Sequence, residues 1–329
     1  MRETRAPWMH SGVKTDRYVW DVEIALLALL VFSCFAYGLR PALMVLFSVS
    51  SALFCELVGN AVRHQRPTVF DGSAMVTGTM IGLMMSPMTP YWVPVLASAF
   101  AIVVVKIPFG GFGRNVFNPA AAGMALATQC FPTRVFTYPD VTANGKLPLW
   151  TLPETLVTKN SPAADLAAGA ASDFTFADVM WGELCGPIGA TALFVLLAAA
   201  AFLFLRRTTS PYITLPYLVV CMLIAAIFPR STGGVLYNIA LEISSGYLLF
   251  TGIFLLNDPV TSPRYNPARI VYGVIAAIMV MLLRHTGRFE EGACFAVLLM
   301  NAGAPLIDRG CWHFWHWYRE RVAKGGRAV

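Results

Sequence analysis

Apolar runs recur along the whole chain and are separated by short polar segments. Hydropathy locates ten runs of the kind that cross about 30 Å of hydrocarbon as helices. The ten predicted membrane-spanning segments are residues 22–39, 41–61, 72–87, 90–108, 117–131, 187–205, 212–229, 233–256, 268–283 and 291–308. The pattern therefore predicts an all-α, polytopic membrane protein of about ten transmembrane helices.

The ten segments fall into two groups of five, separated by the longest polar stretch of the chain. The predicted parts are an N-terminal segment 1–21, a five-helix repeat 22–131, an extracytoplasmic loop 132–186, a second five-helix repeat 187–308 and a tail 309–329. Two groups with an odd number of spans must be inserted in opposite orientations, which is the arrangement of an inverted repeat. A weak internal echo agrees, since Thr77-Gly78 in the third segment recurs as Thr251-Gly252 in the eighth.

Composition and charge support this class and set the orientation. The chain is 57% hydrophobic and 13% charged, so no soluble domain is expected. With both termini in the cytoplasm, the inner segments hold 17 of the 24 Lys and Arg residues, which satisfies the positive-inside rule. The basic residues are scattered over short loops and form no patch interleaved with aromatics, which argues against a nucleic-acid partner. The expected surroundings are the lipid of the cell (inner) membrane.

Residues 71–123 are mostly apolar, but glycines, prolines and two asparagines interrupt them. A broken helix survives in hydrocarbon only where it is buried in protein or lines a cavity, so this stretch predicts a site inside the membrane. Gly111 and Gly113 free the backbone ahead of Asn115 and Asn118, whose amides offer both donors and acceptors to a planar heteroaromatic ring at a helix N-terminus. Alternatively, the glycines only allow close packing and the asparagines only cap the helix.

Four motifs, in this order along the chain, carry a resemblance to a known family. They are GGFGRN at 110–115, FNPA at 117–120, NDPVTSP at 257–263 and FAVLLMN at 295–301. Together they resemble the D subunit of the Rnf electron-transport complex and the related B subunit of sodium-translocating NADH:quinone oxidoreductase. The resemblance covers nearly the whole chain.

The resemblance implies a flavoprotein subunit that relays electrons across the membrane within an ion-translocating (Na⁺ or H⁺) oxidoreductase complex, with the other subunits as partners. It also implies a covalent FMN near the outer side and a non-covalent riboflavin nearer the inner side. Asn115 and Asn118 match the paired asparagines of the riboflavin site. The cofactor-binding candidates in the motifs are Gly111, Gly113, Asn115, Asn118, Asp258 and Thr261. The competing functions are an inverted-repeat solute channel or transporter without redox activity, and a flavin-free scaffold subunit of the complex.

The expected FMN attachment motif is where the chain departs from the family pattern. An Asp followed by S-x-A-T-P-L is absent, and Ser161 stands where the family has its threonine. Thr191, in the first turn of the sixth segment, is the other candidate, although its hydroxyl could simply bond back to a carbonyl one turn earlier. We favour Ser161, in a flexible and accessible loop, as the anchor that a flavin transferase would reach. Thr191 would line the same pocket, with Gly189 exposing an N–H group to the phosphate.

Three carboxylates fall within or at the ends of apolar segments: Glu56, Glu242 and Asp258. An ionised carboxylate is costly there and by default marks an ion pathway or a paired site. For Glu56 the alternative is an interfacial charge paired with Arg63 or Arg66, and for Asp258 it is a cap on a helix that starts at the next residue, a proline. The seven cysteines are isolated and form no C-x-x-C pair, so no metal site is expected.

Overall fold

The structure is a computed structural model that describes residues 15–65, 68–153, 155–169, 174–175, 178, 184–231, 234–286 and 291–325. Nearly all regular structure in these ranges is helical. The two strands among the described residues, Tyr138–Pro139 and Thr158–Lys159, have two residues each and pair antiparallel. The all-α fold class is therefore confirmed.

The first predicted repeat forms five helical elements. They are α1 (Thr15–Tyr37), α2 (Arg40–Val62), α3 (Ser73–Leu83), α4 (Trp92–Phe100), which continues as a π-helical segment Ala101–Lys106, and α5 (Pro119–Cys130). A 3₁₀ turn, Val69–Asp71, precedes α3. The polar stretch then contributes three short helices, α6 (Pro132–Val135), α7 (Val141–Asn144) and α8 (Pro162–Ala168).

The second predicted repeat forms the remaining helices. They are α9 (Leu193–Leu205), α10 (Pro211–Ile227), α11 (Val235–Ser244), α12 (Leu248–Phe250), which continues as a π-helical segment Thr251–Leu255, α13 (Asn266–Thr286) and α14 (Ala293–Gly325). α11 and α12 are the two parts of one apolar segment, bent by 65° at its break. Each predicted apolar segment thus coincides with a helix or with this broken pair.

Several of these helices are shorter than the segments that predicted them. By length and composition, three described helices can cross a membrane alone: Arg17–Tyr37, Arg40–Val62 and Asn266–Thr286. The broken pair α11 and α12 is a fourth if it counts as one span. α3 ends at Leu83 because turns that lead to Pro87 occupy the rest of the predicted segment. A polytopic membrane protein is supported, and the number of ten crossings stays a prediction.

The two groups of helices share several of their packing contacts. In the first group α2 contacts α3 and α4, and α4 contacts α5; in the second, α10 contacts α11 and α13, and α13 contacts α14. The first helices of the groups, α1 and α9, contact each other, and so do the last helices, α5 and α14. This is the pattern expected of two copies related by a two-fold axis. The opposite orientation of the groups in a membrane stays a prediction.

One hydrogen bond occurs at equivalent places in both groups. The Ser48 hydroxyl on α2 donates to the Gly78 carbonyl at 2.7 Å, and the Thr214 hydroxyl on α10 donates to the Gly252 carbonyl at 2.9 Å. A Cβ added to either glycine would lie 2.7 Å from an atom of the neighbouring helix. The repeated Thr-Gly pair thus marks two positions of close helix approach.

The long polar stretch folds against one end of the bundle. Buried side chains of the stretch, including Tyr138, Leu166 and Cys185, cluster with Leu241 of α11. Arg40 at the start of α2 donates to backbone carbonyls of both the α3–α4 turn and this stretch. We call this end of the bundle the Ser161 end, and the opposite end, which carries Asn115, the Asn115 end.

A buried arginine closes the break between α11 and α12. Arg284 on α13 donates to the carbonyl of Glu242 at 3.0 Å and to the carbonyl of Ser245 at 3.3 Å, so it satisfies acceptors that the ended helix leaves open. The carboxylate of Glu291 balances its charge at 2.9 Å. Gly246 sits at the break with φ +57°. The broken helix is therefore held by side chains of the same repeat.

Gly246 offers a direct test of this closure. A Cβ on Gly246 would lie 1.6 Å from a carboxylate oxygen of Glu291. We expect Gly246→Ala to destabilise the protein by at least about 2 kcal/mol, because it adds left-handed backbone strain to the displacement of an ion pair. Gly303→Ala is the matched control, since nothing lies within 4 Å of its added Cβ. Thermal unfolding in detergent measures the stability of both variants. Equal melting temperatures would contradict the role of Gly246, Arg284 and Glu291 in holding the broken helix.

Candidate functional site

The loop between α4 and α5 begins with three glycines in left-handed backbone conformations. Gly110, Gly111 and Gly113 have φ values of +108°, +88° and +86°, which side chains with a Cβ rarely adopt. The Gly111 N–H donates to the Lys106 carbonyl at the end of the π-helical segment. These turns carry the backbone from α4 to Asn115, as the sequence predicted.

Asn118 is the N-cap of α5, and the protein uses both ends of its amide. Its Oδ1 accepts hydrogen bonds from the N–H groups of Ala120 and Ala121, and its Nδ2 donates to the carbonyl of Leu255 at 3.2 Å. Its own N–H donates to Oδ1 of Asn301 on α14. The capping interpretation therefore describes Asn118, which also joins α5 to the second group of helices.

Asn115 differs from Asn118 in one decisive respect. It is 7% exposed, and its Oδ1 has no hydrogen-bond partner in the protein. A buried carbonyl left without a donor costs about 1–3 kcal/mol. Asn115 is therefore prepared for a donor that comes from outside the protein.

Asn115 lies in the wall of a large cavity at the Asn115 end of the bundle. This cavity has a volume of about 760 Å³, within the range of cofactor and ligand sites. Its wall includes Gly113, Asn115, Thr261 and Asn301, and its basic side chains are Arg114, Arg264 and Arg309. We call it the arginine-rimmed pocket. It brings both halves of the chain together, because the α4–α5 loop, the segment after α12 and α14 all contribute.

A second, smaller cavity of about 50 Å³ adjoins it through Asn115. We call it the small chamber. Its polar lining residues are Tyr18, Ser73, Thr77, Lys106, Asn115, Asn118 and Asp258. The volume suits one or a few water molecules and excludes a tricyclic ring.

Asp258 faces the small chamber and is half-buried. Its two oxygens accept hydrogen bonds from the Val260 N–H and the Thr261 hydroxyl. Burial of the carboxyl raises the pKa of Asp258 to about 6. The alternative role as a helix cap is wrong, because residues 259–262 form turns and the next helix starts at Asn266.

Glu56 is buried and ion-paired, but with a partner that the sequence did not suggest. The Lys106 ammonium lies 2.6 Å from Oε1 of Glu56, and the Thr68 hydroxyl donates to the same oxygen at 3.0 Å. Arg63 instead donates to a backbone carbonyl, and Arg66 lies outside the described residues. The interfacial pairing with Arg63 is therefore wrong, and the ion-pathway role of Glu56 stays a prediction.

Glu242 belongs to the network that closes the broken helix. Arg230 lies 2.6 Å from its Oε1, and Arg284 lies 3.4 Å from its Oε2. With Glu291, the group contains two arginines and two glutamates, so its formal charges cancel. Its geometry fits the paired-site interpretation, and an ion-pathway role for Glu242 stays a prediction.

The residues proposed for covalent FMN lie at the Ser161 end, and three details of that expectation are wrong. Ser161 is 1% exposed instead of accessible, and its Oγ accepts the Ala164 N–H as the N-cap of α8. Thr191 precedes α9 instead of lying in its first turn, and its buried hydroxyl has no partner, so it does not bond back to a carbonyl. The Gly189 N–H donates to the Leu83 carbonyl at 2.7 Å and is not exposed. The anchor itself stays a prediction.

Comparison with known proteins agrees with the resemblance in the motifs. The family model described as "NQR2, RnfD, RnfE family" matches residues 3–313. The chain belongs to this family. The D subunit of an ion-translocating oxidoreductase complex from Stutzerimonas stutzeri is 30% identical over an alignment covering 90% of each chain. The D subunit of a proton-translocating ferredoxin:NAD(+) oxidoreductase complex from Clostridium ljungdahlii is 26% identical over 92% of each chain. The resemblance to Rnf D subunits is thus confirmed.

The family motifs contain only some of the residues that line the arginine-rimmed pocket and the small chamber. The motifs at 110–120 and 257–263 supply Gly113, Asn115 and Thr261 to the arginine-rimmed pocket. Sequence reasoning missed Asn301, although it lies inside the FAVLLMN motif, and Lys106. A lysine inside the predicted segment 90–108 was the available signal for a buried ion pair.

The contrast between the two asparagines predicts opposite effects on stability. We expect Asn118→Ala to lower the free energy of unfolding by about 2–3 kcal/mol, because it removes a helix cap and a buried interhelical hydrogen bond. Asn115→Ala is the matched control and should cost little, because the orphan acceptor disappears with the side chain. Thermal unfolding of protein washed free of non-covalent ligand measures both. A larger loss for Asn115→Ala would contradict the assignment.

Proposed function

We propose that this chain is a flavin-carrying membrane subunit of an ion-translocating oxidoreductase complex and relays electrons across the membrane between redox subunits. The observation that carries the proposal is the orphan Oδ1 of Asn115 in the wall of the arginine-rimmed pocket. An isoalloxazine ring has an N–H donor on its edge, and this donor would complete that acceptor. Bound there, the flavin supplies the electron-accepting and electron-donating chemistry.

The rest of the pocket also fits a non-covalent flavin such as riboflavin. The volume of about 760 Å³ accommodates a tricyclic ring and a side chain. Val116, Ala304 and Pro305 give apolar wall, and Trp312 gives an aromatic face. The polar chain of the flavin would lie toward the arginines, where the pocket is open.

The protein's own residues have separate tasks in this proposal. Asn115 holds and orients the ring, whereas Asn118 keeps the wall in place through α5 and Leu255. Asp258, with a pKa of about 6, can take up or release a proton near neutral pH beside the same asparagines. The proposal thus places a proton-exchanging group next to the electron carrier.

A second flavin, FMN attached through its phosphate, is proposed at the Ser161 end. Both candidate hydroxyls are buried, so a flavin transferase needs a local opening at either one. The unpartnered Thr191 hydroxyl favours Thr191 over Ser161, whose oxygen already caps α8. The positive-inside count supports an orientation with both termini cytoplasmic and this end outside, and the proposed location is the cell (inner) membrane.

The non-covalent flavin is tested by its binding to the Asn115 end. We expect purified wild-type protein, extracted mildly, to release riboflavin on denaturation. Asn115→Ala should weaken its binding about tenfold, the effect of one lost hydrogen bond. The exposed Asn160→Ala is the control and should bind as the wild type does. Fluorescence quenching on riboflavin titration gives the dissociation constants. A wild type without flavin that moves solute in liposomes would support a channel instead, and one with neither property would support a scaffold.

The covalent site is tested by flavin fluorescence in a denaturing gel. We expect a fluorescent band in the wild type and in Ser161→Ala, and none in Thr191→Ala, because the Thr191 hydroxyl has no protein partner, whereas the Ser161 hydroxyl caps α8. The reverse pattern would assign the anchor to Ser161. A wild-type band without fluorescence, from cells that contain the transferase, would remove the covalent site.

A further inference from the structure

Glu23 is a buried carboxyl that no part of the proposed electron path uses. It lies in α1, inside the segment Arg17–Tyr37 that can cross a membrane, and is 2% exposed. Its Oε1 accepts a hydrogen bond from the Thr79 hydroxyl of α3 at 2.9 Å. Its Oε2 has no partner in the protein. The Oε2 atom is therefore free to bind a ligand.

Glu23 also differs from the other glutamates that are buried in the described part of the chain. Glu56 is paired with Lys106, and Glu242 and Glu291 are paired with Arg284. Within the described ranges, no Lys, Arg or His lies within 4.0 Å of the Glu23 carboxyl. A carboxylate without a cation is costly in an apolar interior, so the neutral acid is the form this site accepts most readily.

The small chamber reaches to within one helical turn of Glu23. Val19, four residues earlier on α1, lines the chamber, and so do Val76 and Met80, which lie three residues before and one residue after Thr79 on α3. Side chains on a helix lean toward its N-terminus, so the carboxyl of Glu23 leans over Val19 toward the chamber. Water that enters the chamber therefore reaches the side of α1 toward which the Glu23 carboxyl leans.

The charged and titratable groups around Glu23 leave it without a competing partner. On α1, Asp21 is bound by Arg206 and Arg17. α3 and α9 carry no ionisable side chain. On α2, Arg40 lies at the first residue, and Glu56 is paired with Lys106. The groups facing the chamber are Tyr18, Lys106 and Asp258.

We propose that Glu23 is a proton-binding site that exchanges a proton with water in the small chamber during ion translocation. On loading, a hydronium ion in the chamber gives its proton to Oε2 and becomes water, and on unloading the proton returns to water. No electron moves in this step. Thr79 holds the other oxygen in place throughout. The inference rests on the proposed ion-coupled function.

A metal cation fits this site less well than a proton. The groups assembled at it offer three oxygens, two from Glu23 and one from Thr79, whereas hard cations take roughly six oxygen ligands. The two valines and the methionine around the site supply none. The test must therefore distinguish Na⁺ binding from proton binding.

Carbodiimide labelling tests proton binding without any electron flow. Dicyclohexylcarbodiimide reacts with protonated carboxyl groups in apolar surroundings. The complex in native membranes is treated, and the labelled residues are identified by mass spectrometry. We expect Glu23 to be labelled in acidic medium, and we expect the label to fall as the pH rises and the carboxyl loses its proton. Glu56, held by Lys106, is the internal control and should stay unlabelled.

Each outcome of the labelling decides the proposal. No label on Glu23 at any pH, or a label no greater than that on Glu56, would overturn it. A label that Na⁺ blocks at constant pH would overturn the proton assignment in favour of a metal cation. Because labelling does not need the flavin, a protein that lacks flavin but labels at Glu23 would refute the electron-carrier function and leave the proton site standing.

Two variants separate proton binding from packing. Glu23→Gln keeps the shape and an oxygen for Thr79 but cannot carry a proton, and Glu23→Asp keeps the acid. We expect the ratio of protons moved to electrons transferred to fall several-fold in Glu23→Gln and to recover at least partly in Glu23→Asp, with flavin content as in the wild type. An unchanged ratio in Glu23→Gln would leave Glu23 a purely structural role and would contradict the proposal.

Discussion

The constraint on which this structure depends is that every backbone polar group in an apolar interior needs a partner. Where helices break inside the bundle, side chains supply these partners. Asn118 binds the Leu255 carbonyl, Asn257 binds the carbonyls of Gly252 and Ile253, and Arg284 binds two carbonyls at the end of α11. Breaks satisfied in this way are stable features of the fold, and the cavities at the Asn115 end lie beside the one that Asn118 caps.

The same constraint explains why a buried acceptor without a donor, in the wall of a pocket, indicates a ligand. Around the arginine-rimmed pocket, Asn118 and Asn301 are hydrogen-bonded within the protein, whereas the Asn115 carbonyl is not. Of the two asparagines in the pocket wall, Asn115 keeps an amide oxygen without a donor and Asn301 does not. This contrast, more than the size of the pocket, connects the fold to a bound ring with an N–H donor.

Much of the fold and part of the site could be predicted from the sequence. Hydropathy located the helices because burial in lipid demands long apolar runs, and the glycines near Asn115 predicted a turn because their φ values exclude other residues. The pairing of Glu56 with Lys106 could not be predicted, because it joins residues 50 apart through the packing of α2 on α4. Ser161 was misjudged for a similar reason: a polar stretch need not be exposed when it has its own buried cluster.

The central claim, that a flavin ring occupies the arginine-rimmed pocket against Asn115, is tested most directly by an electron cryo-microscopy map of the complex that contains this chain. The expected result is planar tricyclic density between the α4–α5 loop and α14, with one edge within hydrogen-bonding distance of Asn115 Oδ1. Density for a lipid chain in the pocket, or an Asn115 side chain turned to bind a protein group, would contradict the account.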